Sequence, residues 1–220
     1  MVFSRRLLLI VIPVLALISI TGVFYVLQLT SDDQLPDEKD LHGLIYQEPR
    51  RAPDFTLIDQ DGEIFTLSST ERSVSLIFFG YAHCPDACPT ALIKYRWVQE
   101  HLEEDKDRVN FIFITVDPER DDPETLKSYV EYLKIDMKYL TGDEDDLQPV
   151  WNNFGIYFEK EDLPEVEGGP GFRSSQTENY LMAHTSLIFI IDKEMNLREA
   201  FTLYDLNEDL LADVKFLLEE

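Results

Sequence analysis

Two stretches constrain the architecture of this chain more than any other: VSLIFF at 74–79 and VNFIFITV at 109–116. Both are almost continuously apolar and rich in β-branched and aromatic residues. A strand with one wet face alternates polar and apolar positions, whereas a strand covered on both faces does not. These runs are therefore expected as interior strands of a sheet with layers above and below it. Residues 88–105, between them, repeat at helical spacing, with Leu92, Tyr95 and Leu102 among the inward positions. Strand, helix, strand in that order reads as a parallel crossover unit.

The flanking segments extend the pattern. DFTLID and EIFTL alternate on either side of Asp61-Gly62 and predict a β-hairpin. A second helix is expected from Asp122-Pro123-Glu124, where an acid followed by proline is a helix-start signal, and a shorter one over 143–153. LMAHTSLIFIID (181–192) and LREAFTL (197–203) read as an antiparallel pair around DKEMN, followed by a terminal helix at 206–219. Residues 159–179 read as one long irregular stretch, a length that in compact domains goes with function or mobility. Hairpin, β-α-β-α and then β-β-α matches an α/β, thioredoxin-like domain over 53–220. Other three-layer sandwiches share that order, because order along a chain does not set order in space.

The N-terminal end has a different character. From Leu7 to Leu29 no residue is charged, and a helix of that length is roughly 34 Å long, enough for a hydrocarbon core of about 30 Å. A secretory signal peptide has a shorter apolar region and a small-residue cleavage site, which is not seen before the acidic stretch. Residues 1–6 are expected to be a cytoplasmic N-terminus, 7–29 a single transmembrane helix and 30–52 an acidic linker. Arg5 and Arg6 on one flank and Asp32 and Asp33 on the other place the rest of the chain outside the cytoplasm. The chain carries 43 acidic against 19 basic groups, and only two of the basic ones precede residue 32. The exported part therefore holds a net charge of -26, which argues against nucleic acid as a partner.

Two cysteines cannot staple a domain of this size. They stand in FFGYAHCPDACPT, where a buried strand runs through Gly80 towards the start of a helix. Cys84 and Cys88 are four apart, so on a helix they share a face at about 5–6 Å between Cβ atoms. That is long for an unstrained disulfide, whose Cβ atoms lie about 3.5–4.5 Å apart, unless a turn at Pro85 draws them together. Two thiolates at this spacing can hold one soft metal ion, and a helix N-terminus lowers thiol pKa values. A metal site, a redox dithiol and a local structural bridge all remain open. The bridge would close only about five residues and stabilise by only about 2 kcal/mol. A third soft-metal donor would come from His42, His83, His101 or His184.

The motifs PDFTLIDQDG, GYAHCPDACPT, TVDPERDDPETLKSYV and YLMAHTSLIFIID resemble those of the SCO/SenC family of membrane-anchored, thioredoxin-like copper chaperones. The similar residues cover most of 53–192. The resemblance implies a copper site, Cu(I) or Cu(II), on Cys84, Cys88 and His184. It also implies a role in maturing the binuclear copper site of cytochrome c oxidase subunit II, with the copper donor unidentified. In an oxidoreductase alternative, Cys84 and Cys88 keep a partner's copper-ligand cysteines reduced, although the usual C-x-x-C spacer is one residue shorter. Peroxidase chemistry fits poorly, because Cys84 takes the place of the Thr or Ser expected four residues before the reactive cysteine. The family's D-Y-x-V-D-H reads here as Asn179-Tyr180-Leu181-Met182-Ala183-His184, without two carboxylates. Met182 shares the strand face of His184, so its thioether could serve as a weak fourth ligand, or it is a core methionine. Asp86, Asp117, Arg120 and Asp121 match the family motifs and are candidates for supporting the site or meeting a partner.

Overall fold

The computed structural model describes residues 41–70, 72–162 and 180–220. The expected anchor at 7–29, the first part of the linker at 30–40, and residues 163–179 of the long irregular stretch lie outside the described residues. Among the described residues no helix is long and apolar enough to cross a membrane.

The elements run β1 (Leu44–Arg51), β2 (Thr56–Asp59), β3 (Ile64–Thr66), β4 (Val74–Gly80), α1 (Ala87–His101), β5 (Val109–Thr115), α2 (Pro123–Leu133) and β6 (Lys138–Thr141). They continue with α3 (Glu144–Phe154), β7 (Phe158–Asp162), β8 (Tyr180–His184), β9 (Leu187–Ile191), β10 (Asn196–Thr202) and α4 (Asn207–Glu219). One sheet has the order β1-β10-β9-β4-β5-β6-β2-β3, and β7 and β8 pair separately. The two apolar runs stand at its centre: β4 and β5 pair in parallel from Val74 opposite Val109 to Gly80 opposite Thr115. Every residue of β4 is buried.

Both faces are covered, as the unbroken apolar runs demand. Phe78 packs on Phe113, with ring centroids 5.4 Å apart, and Tyr95 of α1 meets Phe111 at 5.1 Å. The next residue, Phe79, points to the opposite face and meets Phe154 of α3 at 5.3 Å and Phe189 at 6.0 Å. Local signals are obeyed where they were strong. Asp122 caps α2 by accepting from the Thr125 N–H at 2.7 Å, with Pro123 in the first turn. Gly62, at φ +78°, turns the β2–β3 hairpin, while Asp59 Oδ1 accepts from the N–H groups of Asp61 and Glu63.

Three expectations change. The linker does not extend to residue 52: Leu44–Arg51 is an edge strand on β10, and Leu41 is already buried. Pro49 disguised it, yet the pairing is interrupted between Ile45 and Arg50, and an edge strand tolerates proline there. The run 181–192 is two strands. Thr185 N–H donates to the Tyr157 carbonyl, which holds the first half against β7 before the chain joins the main sheet as β9. Finally, Phe158–Asp162 is strand β7, where irregular chain was expected from 159.

Candidate metal centre

Parallel β4 and β5 end side by side at Gly80 and Thr115, so the loops that follow them leave the same edge of the sheet. Cys84 sits in a turn before α1, its N–H donating to the Tyr81 carbonyl at 3.2 Å, and Cys88 lies in the first turn of α1. The two thiols therefore do not share a helix face, as the four-residue spacing had suggested; the turn folds Cys84 back over the helix start. The Cys88 N–H, one of the helix's unpaired donors, reaches Cys84 Sγ at 3.4 Å. His184 ends β8 and brings Nε2 to 3.6 Å from Cys88 Sγ. Ligand atoms of Cys84, Cys88 and His184 all lie within 4.8 Å of one another.

The imidazole is oriented for this. Its Nδ1 lies 3.1 Å from the Thr185 carbonyl, an acceptor, so Nδ1 donates there and Nε2 is the ring atom turned towards the thiols. The ring stands edge-on to Phe78 and Tyr81, at centroid distances of 6.0 and 5.9 Å. Gly80 keeps space for the sulfur: a Cβ there would fall 2.5 Å from Cys88 Sγ and 2.6 Å from Phe113 Cζ.

The two thiols, both free, differ electrically. The Cys84 thiol is lowered to about 4, chiefly by a hydrogen bond from the Cys88 side chain. Burial opposes this, while His184 and the N–H groups of Cys88 and Asp86 support it. Cys88 moves the other way, because it is fully buried and faces the charge that Cys84 holds. Metal–sulfur bonds of about 2.3 Å and metal–nitrogen bonds of about 2.0 Å at trigonal angles need donors roughly 3.7–4.0 Å apart. Two sulfurs and a neutral imidazole nitrogen at the observed spacing fit a soft monovalent or divalent ion with small adjustments.

The remaining candidates divide. Asp86 is exposed, and its side chain makes no cap bond to α1. Asp121 is fully buried and joins three elements: it accepts from the Ala82 N–H at 3.1 Å, the Thr115 hydroxyl at 2.7 Å and the Tyr139 hydroxyl at 3.1 Å. Burial raises its carboxyl to about 6 against the pull of those donors. Asp117 accepts from Arg120 Nε at 2.5 Å and from the Tyr180 hydroxyl at 2.7 Å. Met182 is buried along a cleft with Val116, Trp151 and Phe158. Of the other histidines, His42 bonds Asp213, His101 stacks on Trp97, and His83 is exposed, 4.0 Å from Asp121. Tyr81 and Tyr180 carry no role in the sequence reading, although each stands in a motif close to a donor residue.

The family model SCO1/SenC matches residues 45–219. An SCO2-like protein of Rickettsia prowazekii is 32% identical over 194 residues, covering 88% of this chain and 89% of its own. Among solved structures, Bradyrhizobium japonicum ScoI with copper bound is 35% identical with a TM-score of 0.64, covering 76% of this chain and 99% of that one. Yeast Sco1 with copper bound is 25% identical with a TM-score of 0.63, over 78% and 90% of the two chains. Their fold is this mixed α/β, thioredoxin-like fold. With a family match spanning the sheet from β1 to α4, and with both cysteines and the histidine inside it, the chain belongs to the SCO1/SenC family.

Proposed function

We propose that this protein binds copper through Cys84, Cys88 and His184 and delivers it to the binuclear copper site of cytochrome c oxidase subunit II. One observation carries the copper reading: two thiols from a helix start and an imidazole from a distant strand, its Nε2 turned to them, converge within 4.8 Å. Three-coordinate S₂N ligation suits Cu(I), and Cu(II) can add a further ligand. The copper-bound relatives support the choice of metal. The choice of recipient rests on the family resemblance. We propose further that residues 7–29 anchor the chain in the membrane, with residues 1–6 cytoplasmic and the domain outside, on the strength of the apolar run and its flanking charges.

A second reading has its own support. A low-pKa Cys84 beside a buried, high-pKa Cys88 is the asymmetry of a thiol–disulfide oxidoreductase, in which one sulfur attacks and the other resolves. The histidine separates the two readings. His184→Ala should weaken Cu(I) binding by at least about 100-fold, as loss of one of three ligands, and leave the rate of dithiol oxidation close to wild type. Competition titration against a chromophoric Cu(I) chelator and a stopped-flow disulfide-exchange assay measure the two. Unchanged copper affinity in His184→Ala would defeat the proposed site.

A further inference from the structure

The strand that carries His184 is not part of the main sheet. Among the described residues β8 pairs with β7 alone, so its attachment to the layer bearing the cysteines comes from other contacts. In an antiparallel pair, alternate residues direct their N–H and C=O groups towards the partner, and the residues between direct them away. Thr185 N–H bonds to the Tyr157 carbonyl, which sets the parity: Leu181 and Ala183 face β7, while Tyr180, Met182 and His184 present their backbone to the outer edge. Among the described residues no strand lies along that edge.

Side chains take the place of the missing strand. Arg120 Nη1 donates to the Tyr180 carbonyl at 3.1 Å, and the Met182 N–H donates to the Tyr81 hydroxyl at 3.1 Å. Both come from the loops that follow β5 and β4, the second of which contains Cys84 and leads into the helix turn that carries Cys88. Arg120 is itself held rigidly. Its Nε binds Asp117, its guanidinium carbon lies 3.6 Å from the Tyr180 ring centroid, and the Tyr180 hydroxyl returns to the same Asp117 carboxylate. Lys160 Nζ lies 3.7 Å over the same ring. Two cations at that height exclude each other from one face, so the ring is clasped between them.

We infer that Tyr81 and Arg120 are positioning residues for His184, pinning the free edge of β8 so that the imidazole stands against the thiols. The inference rests on the copper-site reading above. Tyr81 acts twice: its hydroxyl anchors the backbone two residues before His184, and its ring walls the imidazole. Loss of the hydroxyl leaves the Met182 N–H without its acceptor and frees the strand to shift, without touching any proposed ligand.

The test compares the full chain in detergent as wild type, Tyr81→Phe, Arg120→Lys, His184→Ala and Tyr81→Phe/His184→Ala. In the metal-free protein, hydrogen exchange at the Met182 amide should accelerate at least tenfold in Tyr81→Phe. In copper titrations, Tyr81→Phe and Arg120→Lys should each lose about 10–100-fold in affinity, with weakened nitrogen hyperfine structure in the Cu(II) spectrum. The double variant should bind no more weakly than His184→Ala alone, because the hydroxyl acts through the histidine. Wild-type affinity and Met182 exchange in Tyr81→Phe would overturn the inference, and so would an equal loss of affinity when Tyr81→Phe is placed in the His184→Ala background. If wild type and His184→Ala bind copper alike, it is the proposed site that fails.

Discussion

At the scale of single residues, the chemistry of this site is a division of labour between two sulfurs four positions apart. Cys84 stands where the Cys88 side chain, the imidazole and two backbone N–H groups all point at it, so it holds charge; Cys88 lies under the sheet edge, where charge is costly. A thiol lowered to about 4 is thiolate throughout the neutral range, and an ordinary thiol loses its thiolate tenfold per pH unit below about 8.5. Carbamidomethylation of Cys84 in the reduced, metal-free protein should therefore change less than about threefold in rate between pH 5.5 and 7.5, and Cys88 should stay unmodified until the protein unfolds. Mass spectrometry of the peptide containing both residues reads this directly. A rate at Cys84 that climbs about tenfold per pH unit over that range would show that the turn does not stabilise its thiolate.

At the scale of elements, the site is assembled where three connections meet, and Asp121 is the shared fastening. It ties the loop after β4 through Ala82, the end of β5 through Thr115 and strand β6 through Tyr139. Removing one buried acceptor leaves an amide and two hydroxyls facing it without a partner, at about 1–3 kcal/mol for each group that water cannot reach. Asp121→Ala should lower the urea-unfolding free energy by roughly 3 kcal/mol, and Asp121→Asn, which keeps an acceptor, by about half that. A loss below about 1 kcal/mol in Asp121→Ala would show that the three elements hold together without it. β4, β5, α1 and the hairpin were legible because periodicity and turn chemistry are local. β7 and β8 were not, because FEKED carries no apolar alternation and β8 reads as a continuation of β9. The two cysteines were visible as a pair, but only tertiary structure shows that Cys84 leaves the helix face, or that Tyr81 reaches Met182 across about 100 residues.

At the scale of the whole molecule, an acidic domain buries two of its carboxylates together where α4 packs against β10. Glu199 of β10 and Asp213 of α4 are both fully buried, and each accepts a backbone N–H from the incoming chain: Asp213 from His42 and Glu199 from Gly43. Burial first, and then the neighbouring Asp213 charge, push Glu199 up to about 8. Its Oε1 meets no donor among the described residues, so a proton on that oxygen is the consistent arrangement. The consequence for stability has a definite sign. A carboxyl that holds its proton more tightly when folded than when unfolded stabilises fully below its unfolded value, near 4.5, and this contribution disappears as pH rises through about 8. Ionising it also adds one more negative charge to a domain that already carries a large excess. Glu199→Gln keeps the neutral shape and removes the titration. Urea unfolding at pH 5, 6.5 and 8.5 should show wild type losing stability relative to Glu199→Gln by on the order of 3 kcal/mol across that range. Because the same pair receives the His42 and Gly43 amides, the protection factors of those two amides, taken relative to the intrinsic base-catalysed rate at each pH, should fall in wild type over the same interval and not in the variant. Parallel stability curves for the two proteins would mean that Glu199 is already ionised at pH 5 and that the latch on the incoming chain is indifferent to pH.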